Sequence, residues 1–248
     1  MSSGSIRVGI GGWTYEPWRG GAFYPEGLPQ KRELEYAGQH LTAIEINATY
    51  YGRQKAESFA NWAAAVPEGF RFSLKASRFC TNRKVLADGA ESIEKFLTQG
   101  FTRLDDRLGP ILWQFMATKH FDREDFARFL DLLPDAQDGT ALRHALEVRH
   151  ESFRDPAFID LARSRNMAVV FADHDQFPQI DERTADFSYA RLQRATADCP
   201  TGYDEKALDR WADKAREWSK GGDAYVFFIS GAKERNPAAG QALIARLN

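Results

Sequence analysis

Eight short runs rich in β-branched or aromatic residues recur along the chain: Ile6–Gly11, Ala43–Asn47, Phe70–Lys75, Pro110–Phe115, His144–Arg149, Met167–Ala172, Phe187–Leu192 and Asp223–Ile229. Segments of helical length separate most of them. In Phe121–Leu133 the apolar residues Phe126, Phe129, Leu130 and Leu133 fall at three- and four-residue spacing, and Leu208, Trp211, Ala215 and Trp218 repeat the pattern in Tyr203–Ser219. That spacing puts one apolar face on each helix. Strand alternating with helix requires parallel strands joined by crossovers, since a tight hairpin joins only antiparallel neighbours. The eight units average about 31 residues over the 248 of the chain, which predicts an α/β fold of the (β/α)8 TIM-barrel type. No Gly/Ser- or Pro-rich linker breaks the series, so residues 1–248 read as a single domain. An open doubly wound sheet is the alternative. It normally carries a GxGxxG turn after its first strand, which Gly9-Ile10-Gly11-Gly12-Trp13 does not supply. Only Asp173–Asp186, with Pro178 and five acids, separates the sixth and seventh runs, so the sixth helix is expected to be short or missing.

Composition narrows the partners. The chain is 43% hydrophobic and 27% charged, with 33 basic against 35 acidic side chains, which excludes disordered and collagen-like classes. The net charge of −2 supplies no global attraction to nucleic acid or to an anionic membrane. Met1-Ser2-Ser3-Gly4-Ser5 lacks a basic region followed by an apolar one, and no stretch approaches eighteen apolar residues, so neither export nor membrane spanning is expected. Cys80 and Cys199 stand far apart, which fits a reducing compartment, and the cytoplasm is the expected location.

Side chains alternate across a strand, so the uninterrupted apolar parity of each run should face the helices and the other parity should line the barrel. Ile44 and Ile46 then point outward and leave Glu45 and Asn47 inside; Phe70, Phe72 and Leu74 leave Arg71, Ser73 and Lys75; Leu146 and Val148 leave Glu147 and Arg149. The less regular fourth, sixth and seventh runs offer Gln114, Asp173 and Arg191. These residues lie near the C-terminal ends of their strands, where barrels of this type build active sites. Three acids against three bases also permit a purely structural ion-pair network. Convergence of all six charges on one mouth points instead to a ligand site.

Segment 71–87 adds Arg71, Lys75, Arg78, Arg83 and Lys84 without an acid, a local positive patch suited to phosphate or carboxylate. Trp13, Tyr15, Trp18, Phe23 and Tyr24 after the first run, with Tyr50 and Tyr51 after the second, offer stacking surfaces or packing for long loops. His120, His150 and His174 follow strands, yet no HExxH or Cys/His spacing accompanies them, and Asp173-His174-Asp175 is the one local cluster of metal-ligand type. No metal and no cofactor is expected.

The motifs Gly11-Gly12-Trp13-Thr14-Tyr15, Trp18, Gly21 and Phe23-Tyr24-Pro25 resemble the opening signature of the YecE-like family, the seventy-second numbered domain of unknown function. Glu45-Ile46-Asn47-Ala48-Thr49-Tyr50-Tyr51, Phe72 to Lys75-Ala76, Leu108-Gly109-Pro110-Ile111-Leu112 with Gln114, Glu147-Val148-Arg149-His150 and Asp173 extend the resemblance over nearly the whole chain. It implies a (β/α)8 barrel and no established reaction. The sequence departs from the family pattern at three places. Arg191-Leu192-Gln193-Arg194 stands where relatives show Arg-x-His-Gly, Phe228-Ile229-Ser230 where they show Phe-Asn-Asn, and Met116 where a proline follows Gln114.

The leading functional expectation is a hydrolase-like enzyme working by acid–base chemistry on a small anionic, possibly phosphorylated substrate. Glu45, Glu147 and Asp173 are its candidate catalytic groups, with Trp13, Asn47, Tyr51, Lys75, Gln114, Arg149 and Arg191 around the substrate. A non-catalytic nucleotide or single-stranded nucleic-acid binding module is the alternative. Metal-assisted phosphodiester cleavage, as in barrels resembling endonuclease IV, is a further one.

Overall fold

The computed structural model describes residues 4–248; Met1-Ser2-Ser3, whose lack of a targeting pattern is noted above, lies outside the described residues. The strands are β1 (Ile6–Gly11), β2 (Ala43–Ile46), β3 (Arg71–Lys75), β4 (Leu108–Gln114), β5 (His144–Glu147), β6 in two pieces (Ala168–Val169 and Phe171–Asp173), β7 (Phe187–Leu192) and β8 (Asp223–Phe228). Every pairing between them is parallel, and β8 returns to β1 with Ile6 opposite Ala224 and Ile10 opposite Phe228. The sheet holds nine hydrogen-bonded segments, and the two at its ends are the halves of β6. The first half pairs with β5, Ala168 opposite Ala145, and the second with β7, Asp173 opposite Leu192. At the break the Val170 N–H donates to the Leu146 carbonyl at 3.0 Å. The ring of eight strands therefore closes through a sixth strand that changes partner midway.

Helices α1 (Glu33–His40), α2 (Ala48–Tyr51), α3 (Ala56–Ala64), α4 (Arg78–Thr81), α5 (Ala90–Leu97), α6 (Arg123–Asp131), α7 (Pro156–Ser164), α8 (Glu205–Ser219) and α9 (Asn236–Leu247) surround the ring. Three of them, α6, α7 and α8, begin at aspartate caps. Asp122 accepts from the Glu124 and Asp125 N–H groups, Asp155 precedes Pro156 and accepts from Ala157, and Asp204 accepts from Ala207, each satisfying orphan donors of a first turn. No helix lies between β6 and β7. The five acids and Pro178 of that segment cannot supply an apolar stripe, and the sixth helix is missing as the spacing predicts.

Two cores result. Val8, Ile10, Ile44, Ile46, Phe72, Leu74, Leu146 and Val148 face the helices, while Ala43, Leu112, Ala145, Tyr189, Tyr225 and Phe227 fill the barrel. Small residues on β2 and β5 leave room for the rings from β7 and β8. Among the described residues no helix is long and apolar enough to cross a membrane, and Cys80 and Cys199 are both free thiols.

β1 and β2 approach closely at Gly9, where a Cβ would lie 2.1 Å from the Ala43 carbonyl oxygen. Backbone cannot yield as a side chain can. Gly9→Ala is therefore expected to destabilise the barrel by about 2 kcal/mol or more, read as a lower denaturant midpoint; an unchanged midpoint would contradict this packing.

Candidate functional site

A single cation organises the upper barrel interior. Arg191, inward on β7 and 2% exposed, donates from Nε and Nη2 to the two carboxylate oxygens of Glu45, 3.1 Å each. Its Nη1 donates to Glu147 Oε2 at 2.7 Å. Both glutamates are fully buried, so each charge depends on these contacts for the solvation it has lost. The Tyr189 hydroxyl donates to Glu45 Oε2 at 2.9 Å and sits 2.8 Å from Ser73 Oγ, which donates to the Pro110 carbonyl. Gln114 Nε2 donates to Glu147 Oε2 at 2.6 Å, and Arg149 donates from Nη2 and Nε to Glu147 Oε1 at 3.1 and 3.3 Å.

Charge states follow from this geometry. Burial alone would raise the Glu147 pKa, but Arg191, then Arg149, the Gln114 hydrogen bond and Lys75 hold it down to about 2. It is a carboxylate at any ordinary pH. Lys75 moves the other way, to about 8: burial and then Arg191 disfavour its ammonium form, and Glu45 and Glu147 only partly offset them. Its Nζ lies 4.1 Å above the centre of the Tyr50 ring, a cation–π contact that holds the charge without neutralising it. Among the described residues Lys75 makes no ion pair, whereas Arg149 and Arg191 both do.

Above this floor opens a cavity of about 620 Å³ at the C-terminal ends of the strands. Trp13, Asn47, Tyr51, Lys75, Gln114, Arg149 and Arg191 line it, as strand parity and loop position predict. Trp13 packs edge-on against Trp62 at 5.2 Å, and Tyr51 stands 67% exposed at the rim. Glu45 and Glu147 are not among the lining residues; Arg191 covers them.

Two expectations need correction. Asp173 does not join the cluster, because Val170 and Ala172 take the inward parity and Val169, Phe171 and Asp173 the outward one. Phe171 packs on Trp211 and Trp218 of α8. Asp173 pairs with Arg194 at 3.3 Å and accepts from the Tyr203 hydroxyl, and burial pushes its pKa up. The basic loop does not reach the mouth either. Arg83 spends its guanidinium on the Phe79 and Asp88 carbonyls and Ser92 Oγ, bracing its own loop, and Arg78 lies over Phe79. The three loop histidines have local partners. His120 and His150 rings face each other at 3.7 Å, His150 Nδ1 caps the turn after it, and His174 stacks on Phe177 at 3.8 Å. Among the described residues no group of three or more His, Cys, Asp or Glu gathers as a metal shell.

Strand parity could have added Tyr189, which shares its face with Arg191. Trp62, Ser230, Lys233 and Asn236 also line the cavity, but they come from helices and loops with no periodic signal pointing there. The network predicts a sharp asymmetry. Arg191→Met strands two buried carboxylates and should cost about 3–5 kcal/mol. Adding Glu45→Gln and Glu147→Gln should recover part of that loss in the same denaturation experiment; if Arg191→Met alone costs under about 1 kcal/mol, the network does not hold the floor.

The description "Protein of unknown function DUF72" matches residues 7–248. UPF0759 protein YunF of Bacillus subtilis (strain 168) is 24% identical over 160 residues, 62% of this chain, and the match spans 54% of that protein's length. The crystal structure of a DUF72 family protein from Thermotoga maritima MSB8 superimposes with a TM-score of 0.76 at 22% identity, covering 98% of both chains. One from Enterococcus faecalis V583 gives 0.70 at 20% identity, over 98% of this chain and 96% of its own. These likenesses carry the barrel fold, and the match from residue 7 to the last residue carries the membership: the chain belongs to the DUF72 family of proteins of unknown function.

Proposed function

We propose that the mouth binds a small anionic ligand, such as a phosphate ester or a carboxylate, and that the protein is an enzyme moving protons on that ligand through Lys75. The observation that carries this reading is the excess of cation. Glu45 and Glu147 are spent beneath the floor on Arg191 and Arg149, while Lys75, which among the described residues has no carboxylate, faces the cavity beside Arg149. In this cluster two carboxylates against three cations leave one positive charge, and burial of Lys75 and Arg191 limits its screening by water.

The roles differ from those parity suggests. Glu147 is ionised with both oxygens engaged, and Asp173 faces away, so neither is placed to carry a proton. Lys75, with a pKa of about 8, holds roughly a tenth of its population as free amine at neutral pH, the condition for a group that both takes and returns protons. Hydrolysis is the simplest reaction of this type. The amine takes a proton from water as the water oxygen bonds to the electrophilic atom, and the ammonium returns it to the leaving group. Arg149, extending past Glu147, and Arg191 would stabilise charge developing on the anion, and Trp13 with Trp62 would seat its apolar part.

Sulfate is the appropriate probe, since its charge does not change across the working pH range. Arg149→Ala is expected to weaken sulfate binding about tenfold or more, the ratio that ~1.4 kcal/mol implies. Affinity should fall as pH rises through about 8, because the Lys75 ammonium is lost there, and Lys75→Met should abolish that dependence. If Arg149→Ala lowers only the melting temperature and leaves sulfate affinity unchanged in calorimetric titration, the cluster is an internal ion-pair network and nothing more.

A further inference from the structure

The cavity has a second polar wall. In a ring of eight strands β8 stands across from β4, and β3 and β5 flank β4, so Lys75, Gln114 and Arg149 occupy one side of the mouth. The loop after β8 and the start of α9 occupy the other, and they bring Ser230, Lys233 and Asn236 to the same cavity. Lys233 is half-buried, its Nζ lies 4.2 Å from the centre of the Tyr15 ring and 5.5 Å from that of Trp18, and among the described residues it makes no ion pair. Its backbone is pinned, since Trp18 Nε1 donates to the Lys233 carbonyl at 2.9 Å. Lys233 thus repeats the arrangement of Lys75, an ammonium resting on an aromatic face with its charge uncancelled.

Asn236 supplies the independent observation. It is 2% exposed, and its Nδ2 donates to the Ser230 carbonyl at 3.2 Å, which fixes the amide orientation. Among the described residues its Oδ1 has no partner, and a buried acceptor left alone is rare and calls for a donor. Ser230 itself holds a left-handed backbone, φ 61°, uncommon for a residue other than glycine. That conformation holds the loop after β8 so that the Ser230 carbonyl meets Asn236. Between the two cationic walls stand the rings of Trp13 and Trp62.

We propose that Lys233 and Asn236 form a second subsite, so that the ligand carries an anionic group at each end and a hydroxyl beside the second: a phosphorylated or carboxylated polyol or sugar. Lys233 would pair with the distal anion and Asn236 Oδ1 would accept from the hydroxyl. The cavity, about 620 Å³, lies within the range that such small molecules occupy. This inference rests on the anion-binding reading of the Lys75 and Arg149 wall.

The test compares two probes by isothermal titration calorimetry, fructose 1,6-bisphosphate with an anion at each end and fructose 6-phosphate with one. On the native protein the two-ended probe should bind at least about tenfold tighter. Lys233→Met, which keeps the contact with Tyr15 and Trp18, should remove most of that advantage and leave the one-ended probe within about twofold. Equal affinities for the two probes, or a Lys233→Met variant that keeps the full advantage at an unchanged melting temperature, would overturn the second subsite and leave the anion reading intact. If neither probe binds the native protein, both readings fall together.

Discussion

The guanidinium of Arg191 between Glu45 and Glu147 is the contact on which the upper half of the barrel depends. It sits on β7, Glu45 on β2 and Glu147 on β5, so one side chain ties three separated strands across the interior. No hydrophobic residue could hold such a register by direction, because apolar contacts have no preferred geometry, whereas the fork of Arg191 meets the two oxygens of Glu45 as a pair. A buried ion cluster of this kind contributes little net stability over apolar packing. Its effect is to fix which atoms reach the mouth.

That division explains the character of the site. The carboxylates lie beneath, fully hydrogen-bonded through Tyr189, Gln114 and Arg149, and they are unavailable as proton carriers. What they do is electrostatic. They let three cations share one buried cluster, and burial, together with the repulsion among those cations, brings Lys75 down to about 8. The floor therefore tunes a titratable group that faces the cavity. The cavity lining is cationic, with Lys75, Arg149, Arg191 and Lys233, although the chain as a whole carries −2, so net charge does not report the local charge of the mouth.

Period-two alternation is legible where the opposite parity is uninterrupted. Ile44 and Ile46 exposed the inward placement of Glu45, and Leu146 and Val148 that of Glu147 and Arg149; all lie on the predicted faces. It failed at the sixth strand for a physical reason. Met167 to Ala172 is apolar at every position, so no parity can be read from it, and the assignment of Asp173 to the interior had only its position at the strand end to support it. The missing sixth helix was readable because a segment so acidic and interrupted by proline has no stripe to bury. Lys233, Asn236 and Trp62 had no such signal: the first two reach the cavity through the closure of the ring, which brings the loop after β8 beside β1, and Trp62 reaches it from α3.

Lys75 concentrates the account in one side chain, and its titration by NMR tests it most directly, with the Lys75 side-chain resonance assigned by its loss in Lys75→Met. The account predicts a midpoint near 8 in the free protein that moves upward when sulfate saturates the mouth, because a bound anion favours the ammonium form. A midpoint near the ordinary lysine value of 10.5, unmoved by sulfate, would contradict it.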